Sequence, residues 1–219
     1  MVMSFLRPKK PELTEDQKRR LPPGQVLTEK WPVLHASHIP RFDPKTWDFK
    51  ITGLVEQPLH WTWQEFNQLP MTTVTCDIHC VTRWSKYDNV FEGVHIKEIM
   101  QHVKPLPTAH YVMEHADPDY TTNISLAELV DDDVILALKH NGQPLTAEHG
   151  GPLRLVVPKL YFWKSAKWLR GFEFMPQDAP GFWEMYGYHM HGDPFREVRF
   201  GGRVEQTMQN VRSKTQSNR

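Results

Sequence analysis

The chain has 219 residues, and its 26 lysines and arginines balance 26 aspartates and glutamates, so that its formal net charge is zero. A neutral chain has no global field to attract nucleic acid or an anionic membrane, and any anion must be held by a local cluster of cations. The length is sufficient for one large domain or two small ones, and 18 prolines favour short strands and ordered loops over long helices.

The sequence shows no targeting segment. No stretch approaches the roughly 18–20 apolar residues that span a bilayer, and the N-terminal sequence MVMSFLRPKKPELTEDQKRRLPPGQ lacks the apolar core of a signal peptide. We therefore expect a cytoplasmic protein with reduced thiols and no membrane segment. We expect a charged, proline-rich arm at residues 1–25, one globular domain at residues 26–204 and a polar tail at residues 205–219.

The first half of the domain predicts short strands and helices. WDFKITGLV predicts a strand that ends at Gly53, and Thr62 is placed to cap a short helix, WQEFNQL, that stops before Pro70. The β-branched run MTTVTCDIHC predicts a strand, after which Cys80 begins a loop. The apolar spacing of GVHIKEIMQHV predicts an amphipathic helix, AHYVMEHA a strand and DPDYTTN a turn.

The second half continues this pattern. Ser125 is placed to cap a turn of helix, LAELV, while DVILALKH, GPLRLVVP and LRGFEFM predict strands and NGQPL a turn. The aromatic segment APGFWEMYGYHMHGDPFREVRFGG is expected to be mostly irregular. With no internal repeat or low-complexity linker, the chain predicts one α+β domain of short mixed strands, short helices and long ordered loops, which often hold a ligand.

The chain has two cysteines, Cys76 and Cys80. On an extended strand their Cα atoms lie roughly 13 Å apart, whereas a disulfide allows about 4.4–6.8 Å. Cys80, at a strand end and near Arg83, is a candidate thiolate, whereas Cys76 is expected to be a packed neighbour. Two inert buried thiols remain an alternative, as does a zinc module that uses His79, although C-x3-C with that histidine supplies at most three ligands.

A candidate anion site lies further along the chain. In EHGGPLR, the backbone N–H groups of two glycines could approach a ligand between His149 and Arg154. The segment KSAK adds Ser165 and Lys167. Glycine backbone, hydroxyl and two cations together suit a phosphate or another compact anion, and a β-turn with exposed charges is the alternative.

These motifs resemble those of a known family. A cysteine at a strand end followed by arginine and tryptophan, then NG-x-PL, HGGPLRLVVP and KS-x-KWL, resembles the sulfite oxidase type of molybdopterin-dependent oxidoreductases, from about residue 31 to residue 200. The likeness is greatest to short bacterial members related to the catalytic subunit of periplasmic methionine-sulfoxide reductase. It implies a sulfite oxidase-type molybdopterin-binding fold and two-electron oxygen-atom transfer at a molybdenum bound by one pterin, without haem.

The resemblance also implies roles for individual residues. Cys80 would be the single protein ligand of molybdenum, a soft thiolate suited to a high-valent metal, and Arg83 could approach the substrate. The residues that would bind the pterin or its phosphate are His35, His38, Ile39, His115, His149, Arg154, Ser165, Ala166 and Lys167. The expected partners are a small-molecule substrate and an unidentified electron donor or acceptor. A protein that carries molybdopterin without turnover is the alternative from another class.

Overall fold

The computed structural model describes residues 12–202, which form short elements in an α+β arrangement, as the sequence predicts. The strands are β1 (Val26–Leu27), β2 (Asp48–Gly53), β3 (Leu59–Thr62), β4 (Met71–His79), β5 (Trp84–His95), β6 (Tyr111–Ala116), β7 (Tyr120–Ser125), β8 (Ile135–His140), β9 (Gln143–Pro144), β10 (Arg154–Val156) and β11 (Leu169–Met175). The helices are α1 (Glu15–Arg20), α2 (Trp63–Phe66), α3 (Ile96–Val103), α4 (Leu126–Leu129) and α5 (Phe182–Met185), with single 3-10 turns at Ala147–His149 and Phe162–Lys164.

The described strands form two sheets. One has the order β1-β5-β8-β10, with β4 also paired to β5 and β9 to β8, and the other has the order β3-β2-β11-β6-β7. The β1–β5 and β2–β11 pairs are parallel and the remaining pairs are antiparallel. Both sheets are therefore mixed, in agreement with the prediction of short mixed strands.

The main hydrophobic core combines side chains from both sheets. Phe49 and Ile51 alternate with exposed residues along β2, so they lie on the buried face of that strand. They belong to the same buried cluster as Phe172 of β11, Leu136 of β8 and Ile99 of α3. Full burial of such a side chain contributes roughly 1.5–3 kcal/mol, so this cluster fixes the positions of the loops that leave the strands.

Two predicted helix caps are confirmed. The Thr62 hydroxyl accepts the backbone N–H of Glu65, whose carboxylate in turn accepts the N–H of Thr62. The Ser125 hydroxyl accepts the backbone N–H of Glu128 at the start of α4. These contacts are local, which explains why the sequence predicts them well.

The predicted turn DPDYTTN is wrong over its second half, because Tyr120 begins strand β7, which pairs with β6. Its polar residues Thr122 and Asn123 are buried and not solvated, since they bind the buried side chains of Glu184 and Lys164. Their polarity therefore does not mark a loop.

The described part of the N-terminal arm lies against the domain. Arg20, at the end of α1, donates hydrogen bonds to the carboxylates of Asp77 and Asp88. The Tyr87 hydroxyl donates to the backbone carbonyl of Gln17 at 2.7 Å. Residues 1–11 of the expected arm and the expected tail at residues 205–219 lie outside the described residues. Across residues 12–202, no helix combines the length and apolarity needed to cross a bilayer.

Candidate cofactor site

A cavity of about 310 Å³ lies where three loop regions meet: residues 31–37, the connection from β4 to β5, and residues 149–168. Such a volume is at the lower end of the roughly 300–1,000 Å³ typical of small-molecule sites. Trp31, Trp84 and Trp183 contribute to its largely aromatic wall. Cys80 lines the same cavity, as do His149, Arg154 and Lys167 of the predicted anion site.

Cys80 sits on a tight turn between β4 and β5. The backbone N–H of Arg83 donates to the Cys80 carbonyl at 3.0 Å, and the Cys80 N–H donates to the Trp84 carbonyl at 2.9 Å. The Cys80 Sγ lies 3.1 Å from the hydroxyl of Thr82. Burial raises the pKa of the Cys80 thiol, while the Thr82 hydrogen bond and the positive charge of Arg199 oppose that shift. The turn thus presents the thiol to the cavity and gives it polar partners.

Cys76 has different surroundings. It does not line the cavity and packs against the smaller hydrophobic cluster around Ile78 and Phe91. A bulge in β4 between Cys76 and Ile78 shifts the strand register before Cys80, so the simple alternation of strand faces fails here. Burial raises the pKa of the Cys76 thiol to about 12. The placement agrees with the expectation that Cys76 is a packed neighbour.

The described part of the chain does not support a zinc module that uses His79. His79 is buried and its Nδ1 lies 2.8 Å from the Ser85 hydroxyl. Burial lowers the pKa of His79 to about 4. Within residues 12–202, no group of three or more histidine, cysteine, aspartate or glutamate side chains is arranged to hold a metal.

Arg154, at the start of β10, is a buried cation with only 2% of its surface exposed. It donates to the backbone carbonyls of His149 at 2.8 Å, Ser165 at 2.9 Å and Leu155 at 3.3 Å. Because a guanidinium has five N–H donors, two of them are left without a protein acceptor among the described residues. Its carbon Cζ lies 4.0 Å from the centre of the Phe162 ring. Burial lowers the pKa of Arg154 to about 9, so the group remains a cation at neutral pH.

Lys167 is placed next to Arg154 by an antiparallel backbone bridge between these two residues. Its ammonium donates to the Glu148 carbonyl at 2.8 Å and lies 3.4 Å from Nδ1 of His35. Burial, followed by the positive charge of Arg154, lowers the pKa of Lys167 to about 7. The pairing of β10 with residue 167 therefore brings two cations together without a carboxylate between them.

His149 completes this group of basic side chains. Its ring stacks on Trp31 with a centroid distance of 4.0 Å and an interplanar angle of 15°. Burial lowers the pKa of His149, and the positive charges of Arg154 and Lys167 lower it further. A bound anion would offset the positive charges of Arg154 and Lys167.

The backbone donors expected to face a ligand are instead bonded within the protein. The N–H groups of Gly150 and Gly151 donate to the carbonyls of Ala147 at 3.1 Å and Thr146 at 3.0 Å. Gly150 is required for another reason: its φ is +101°, and a Cβ there would lie 2.9 Å from the Cβ of Lys167. The glycine allows the chain to approach Lys167 closely.

The predicted Ser165 and Ala166 line the cavity, but their polar groups also have internal partners. The Ser165 hydroxyl accepts the backbone N–H of Val157 at 2.9 Å. The N–H of Ala166 donates to the carboxylate of Glu114 at 3.1 Å. These residues shape the wall and hold it in place, and the positive charges of the site belong to Arg154 and Lys167.

Four predicted site residues do not line the cavity. His38 and Ile39 are exposed immediately after the lining segment 31–37. His115 lies on the exposed side of β6, with its Nε2 3.2 Å from the carboxylate of Glu173. Arg83 is exposed, and its Nη1 lies beside Gly24 and not in the cavity. Their proposed roles remain predictions.

Apart from Trp84, which was open between a pocket role and packing, sequence reasoning did not single out the aromatic lining residues. These are Trp31, Trp84, Tyr120, Phe162, Trp163, Trp168, Trp183 and Tyr188. Most of their rings lie in segments for which the sequence predicts neither a strand nor a helix. The concentration of aromatic residues near predicted loops was the available signal, since ligand cavities are lined mainly by apolar and aromatic side chains.

The chain matches the family model described as the oxidoreductase molybdopterin binding domain over residues 35–183. The fold and this match define a molybdopterin oxidoreductase domain, and the chain belongs to that family. The resemblance to the sulfite oxidase type is therefore confirmed.

Individual relatives differ in how much of their length they share with this chain. An uncharacterised oxidoreductase, YuiH of Bacillus subtilis (strain 168), is 46% identical over 186 residues, which cover 84% of this chain and 94% of YuiH. A putative protein-methionine-sulfoxide reductase subunit, YedZ1 of Azospira oryzae, is 29% identical, over 78% of this chain and 66% of its own length. An NADPH nitrate reductase of Leptosphaeria maculans is 31% identical, but the match covers only 19% of that enzyme and 64% of this chain.

A solved structure shows the same fold. The sulfane dehydrogenase SoxCD from Paracoccus pantotrophus superimposes with a TM-score of 0.60 at 23% identity, over 65% of this chain and 41% of that chain. The predicted sulfite oxidase-type fold is confirmed by this likeness.

Proposed function

We propose that the protein is a molybdenum-cofactor-dependent oxidoreductase that transfers an oxygen atom to or from a small substrate, with Cys80 as the single protein ligand of the metal. One observation carries the proposal: a single cavity contains both the thiol of Cys80 and the buried, incompletely bonded guanidinium of Arg154. A soft thiolate suits molybdenum, and a buried cation without a carboxylate suits the phosphate of a pterin cofactor.

The basic side chains have distinct tasks in this proposal. Arg154 offers its two remaining N–H groups to a phosphate in the planar geometry that favours a bidentate contact. Lys167 adds a second positive charge on the neighbouring backbone position. The stacked rings of Trp31 and His149 offer a flat aromatic surface near these charges, which suits a pterin ring.

The bound cofactor would supply a metal able to exchange two electrons, and the chain would orient it and control access. The turn that carries Cys80 is fixed by two backbone hydrogen bonds, so the thiol is held ready for ligation. The aromatic side chains of Trp84, Trp183 and Tyr188 restrict water in the same cavity.

The proposal is tested with protein from cells that make the molybdenum cofactor. Metal analysis should find molybdenum in the wild type, and dye-coupled turnover should be assayed with nitrate, sulfite, methionine sulfoxide and N-oxides. Cys80→Ser should abolish turnover and change the sulfur-to-molybdenum absorption, because the thiolate is lost. Cys76→Ser is the matched control and should change neither.

The alternatives give different results. Stoichiometric zinc without molybdenum would contradict the proposal. Bound molybdenum with no turnover on any substrate of this panel would favour a carrier protein. An unchanged absorption spectrum in Cys80→Ser would show that another group binds the metal.

A further inference from the structure

The turn that carries Cys80, residues 80–83, is here called the ligand turn. It accepts hydrogen bonds from two side chains, one before and one after the part of the chain that the family model matches. Gln25 precedes the residues matched by the family model, 35–183, and Arg199 follows them. Each side chain is almost completely buried, with 7% of Gln25 and 5% of Arg199 exposed. Each donates a hydrogen bond to a backbone carbonyl of the turn.

Gln25 holds the first residue of the turn. Its Nε2 donates to the Cys80 carbonyl at 3.1 Å. The position of Gln25 is fixed by strand β1, because the N–H of Val26 donates to the Arg83 carbonyl at 3.0 Å and Val26 pairs with Trp84. Gln25 and Val26 therefore hydrogen-bond to both ends of the turn, at Cys80 and at Arg83.

Arg199 holds the second residue of the turn. Its Nη1 donates to the Val81 carbonyl at 2.6 Å, and its Nη2 lies 3.4 Å from the Pro23 carbonyl. Its guanidinium lies over the ring of Tyr161 at 4.8 Å. One side chain therefore connects the N-terminal segment, the ligand turn and the chain that leads into the cavity wall.

The positive charge of Arg199 is only partly compensated. Its single carboxylate partner within the described residues is Glu197, at 3.6 Å from Nη2, and that side chain is 44% exposed. The Nε of Arg199 is buried and has no hydrogen-bond partner in the described part of the chain. A buried cation beside the turn favours negative charge on it, which is the charge that a metal-bound thiolate brings.

We propose that Arg199 and Gln25 are positioning residues for Cys80: Gln25 fixes the backbone of the ligand turn, and Arg199 fixes it and also supplies a positive charge near the metal ligand. This inference rests on the proposed function, in which Cys80 binds molybdenum. It assigns a role to two residues outside the part of the chain that the family model matches.

The charge of Arg199 is tested in molybdenum-loaded full-length protein. Arg199→Gln removes the charge, Arg199→Lys keeps it, and Arg196→Gln is a matched control because Arg196 is exposed on the same segment. The reduction potential of the metal should shift to a more negative value in Arg199→Gln, because the positive charge that favours the reduced centre is lost. Arg199→Lys and Arg196→Gln should both have the wild-type reduction potential. A purely structural role would lower stability in the variants without this pattern.

The hydrogen bond from Gln25 to the Cys80 carbonyl is tested by the rate at which loaded protein loses molybdenum on dilution. Gln25→Leu keeps the volume but removes the donor to the Cys80 carbonyl, and we expect at least a threefold faster loss with an unchanged potential. This variant and Arg199→Lys carry the test if Arg199→Gln does not fold. The inference is overturned if Arg199→Gln has the potential of Arg196→Gln, or if Gln25→Leu keeps molybdenum as well as the wild type.

Different results test Cys80 as the metal ligand and Arg199 and Gln25 as its positioning residues. If the wild type contains no molybdenum, or Cys80→Ser has the wild-type absorption, the proposed function fails and with it the role of the ligand turn. If both of those results support Cys80 but the variants of Arg199 and Gln25 behave as the wild type, only the positioning role is wrong.

Discussion

Lys167→Met should stabilise the metal-free protein and, in the loaded protein, weaken the hold on the cofactor. Burial and the charge of Arg154 lower the pKa of Lys167 from 10.5 to about 7, so the folded state disfavours the charged ammonium. At roughly 1.4 kcal/mol per pKa unit the penalty is at most ~5 kcal/mol, and screening of a half-buried group reduces it to about 2 kcal/mol. Methionine removes the charge and keeps the Cβ and Cγ that pack on Gly150.

Because the pKa of Lys167 is lowered in the folded state, the stability that the variant gains depends on pH. Below about pH 7, Lys167 is protonated in both the folded and the unfolded chain, and the full penalty is present. Between about pH 7 and 10.5 the unfolded chain binds more protons, so the wild type gains stability as the pH rises and the advantage of the variant shrinks. Urea unfolding of metal-free protein at pH 6 and pH 9 measures this. Lys159→Met is the control, because that exposed lysine pairs only at the surface with Asp131.

In the loaded protein the same change should act in the opposite direction. An ammonium that binds a phosphate contributes about 1.5–3 kcal/mol, so its loss should weaken cofactor retention roughly 10- to 150-fold. Molybdenum retained after gel filtration and the rate of its loss measure the effect. A variant of Lys167 that is less stable than the wild type at pH 6, or that retains the cofactor equally well, would refute the reasoning.

Three further predictions concern the frame of the site, each measured by chemical unfolding of metal-free protein. Glu184→Gln should destabilise the fold by about 3–5 kcal/mol, because the buried ammonium of Lys164 loses its carboxylate at 2.6 Å; a loss below about 1 kcal/mol would contradict this. Gly150→Ala should destabilise by about 1–3 kcal/mol through its φ of +101° and its contact with Lys167, and wild-type stability there would refute the strain. Arg154→Met should lower stability by about 3 kcal/mol, since three carbonyls lose a charged donor, and an unchanged midpoint would disprove that structural role.

The sequence predicts elements whose signals are local, but it takes β7 for a turn and does not predict the long strand β5, and both strands carry buried polar residues. Strand β5 is twelve residues long and alternates between buried and partly exposed positions, but two of its buried residues are Ser85 and Asn89. Ser85 binds His79, and Asn89 binds backbone carbonyls, including that of Cys76. Their partners lie on β4 and, for one bond of Asn89, on β5 itself, so hydrophobic periodicity along β5 alone does not reveal the strand.

The same limit applies to the candidate site. The position of Cys80 at a strand end and the grouping of Arg154 with Lys167 were predictable, because residue type and spacing indicate them. The hydrogen bond from the Gly150 N–H to the Ala147 carbonyl was not predictable, because it depends on a turn geometry that the residue types permit but do not impose. The exposed position of His115 depends on which face of β6 the rest of the fold covers.

Two lysines three positions apart, Lys164 and Lys167, differ in how fully their ammonium groups are hydrogen-bonded. The ammonium of Lys164 is fully buried and uses its three donors on Glu184 and on both oxygens of Asn123. Lys167 has one close carbonyl acceptor, that of Glu148, and no carboxylate partner within the described residues. Because the first lysine is satisfied, it anchors the 3-10 turn Phe162–Lys164 and gives the following residues a fixed support. The second lysine, with the Glu148 carbonyl and Nδ1 of His35 as its polar neighbours, lines the cavity, and an anion bound there would offset part of the cost of burying its charge.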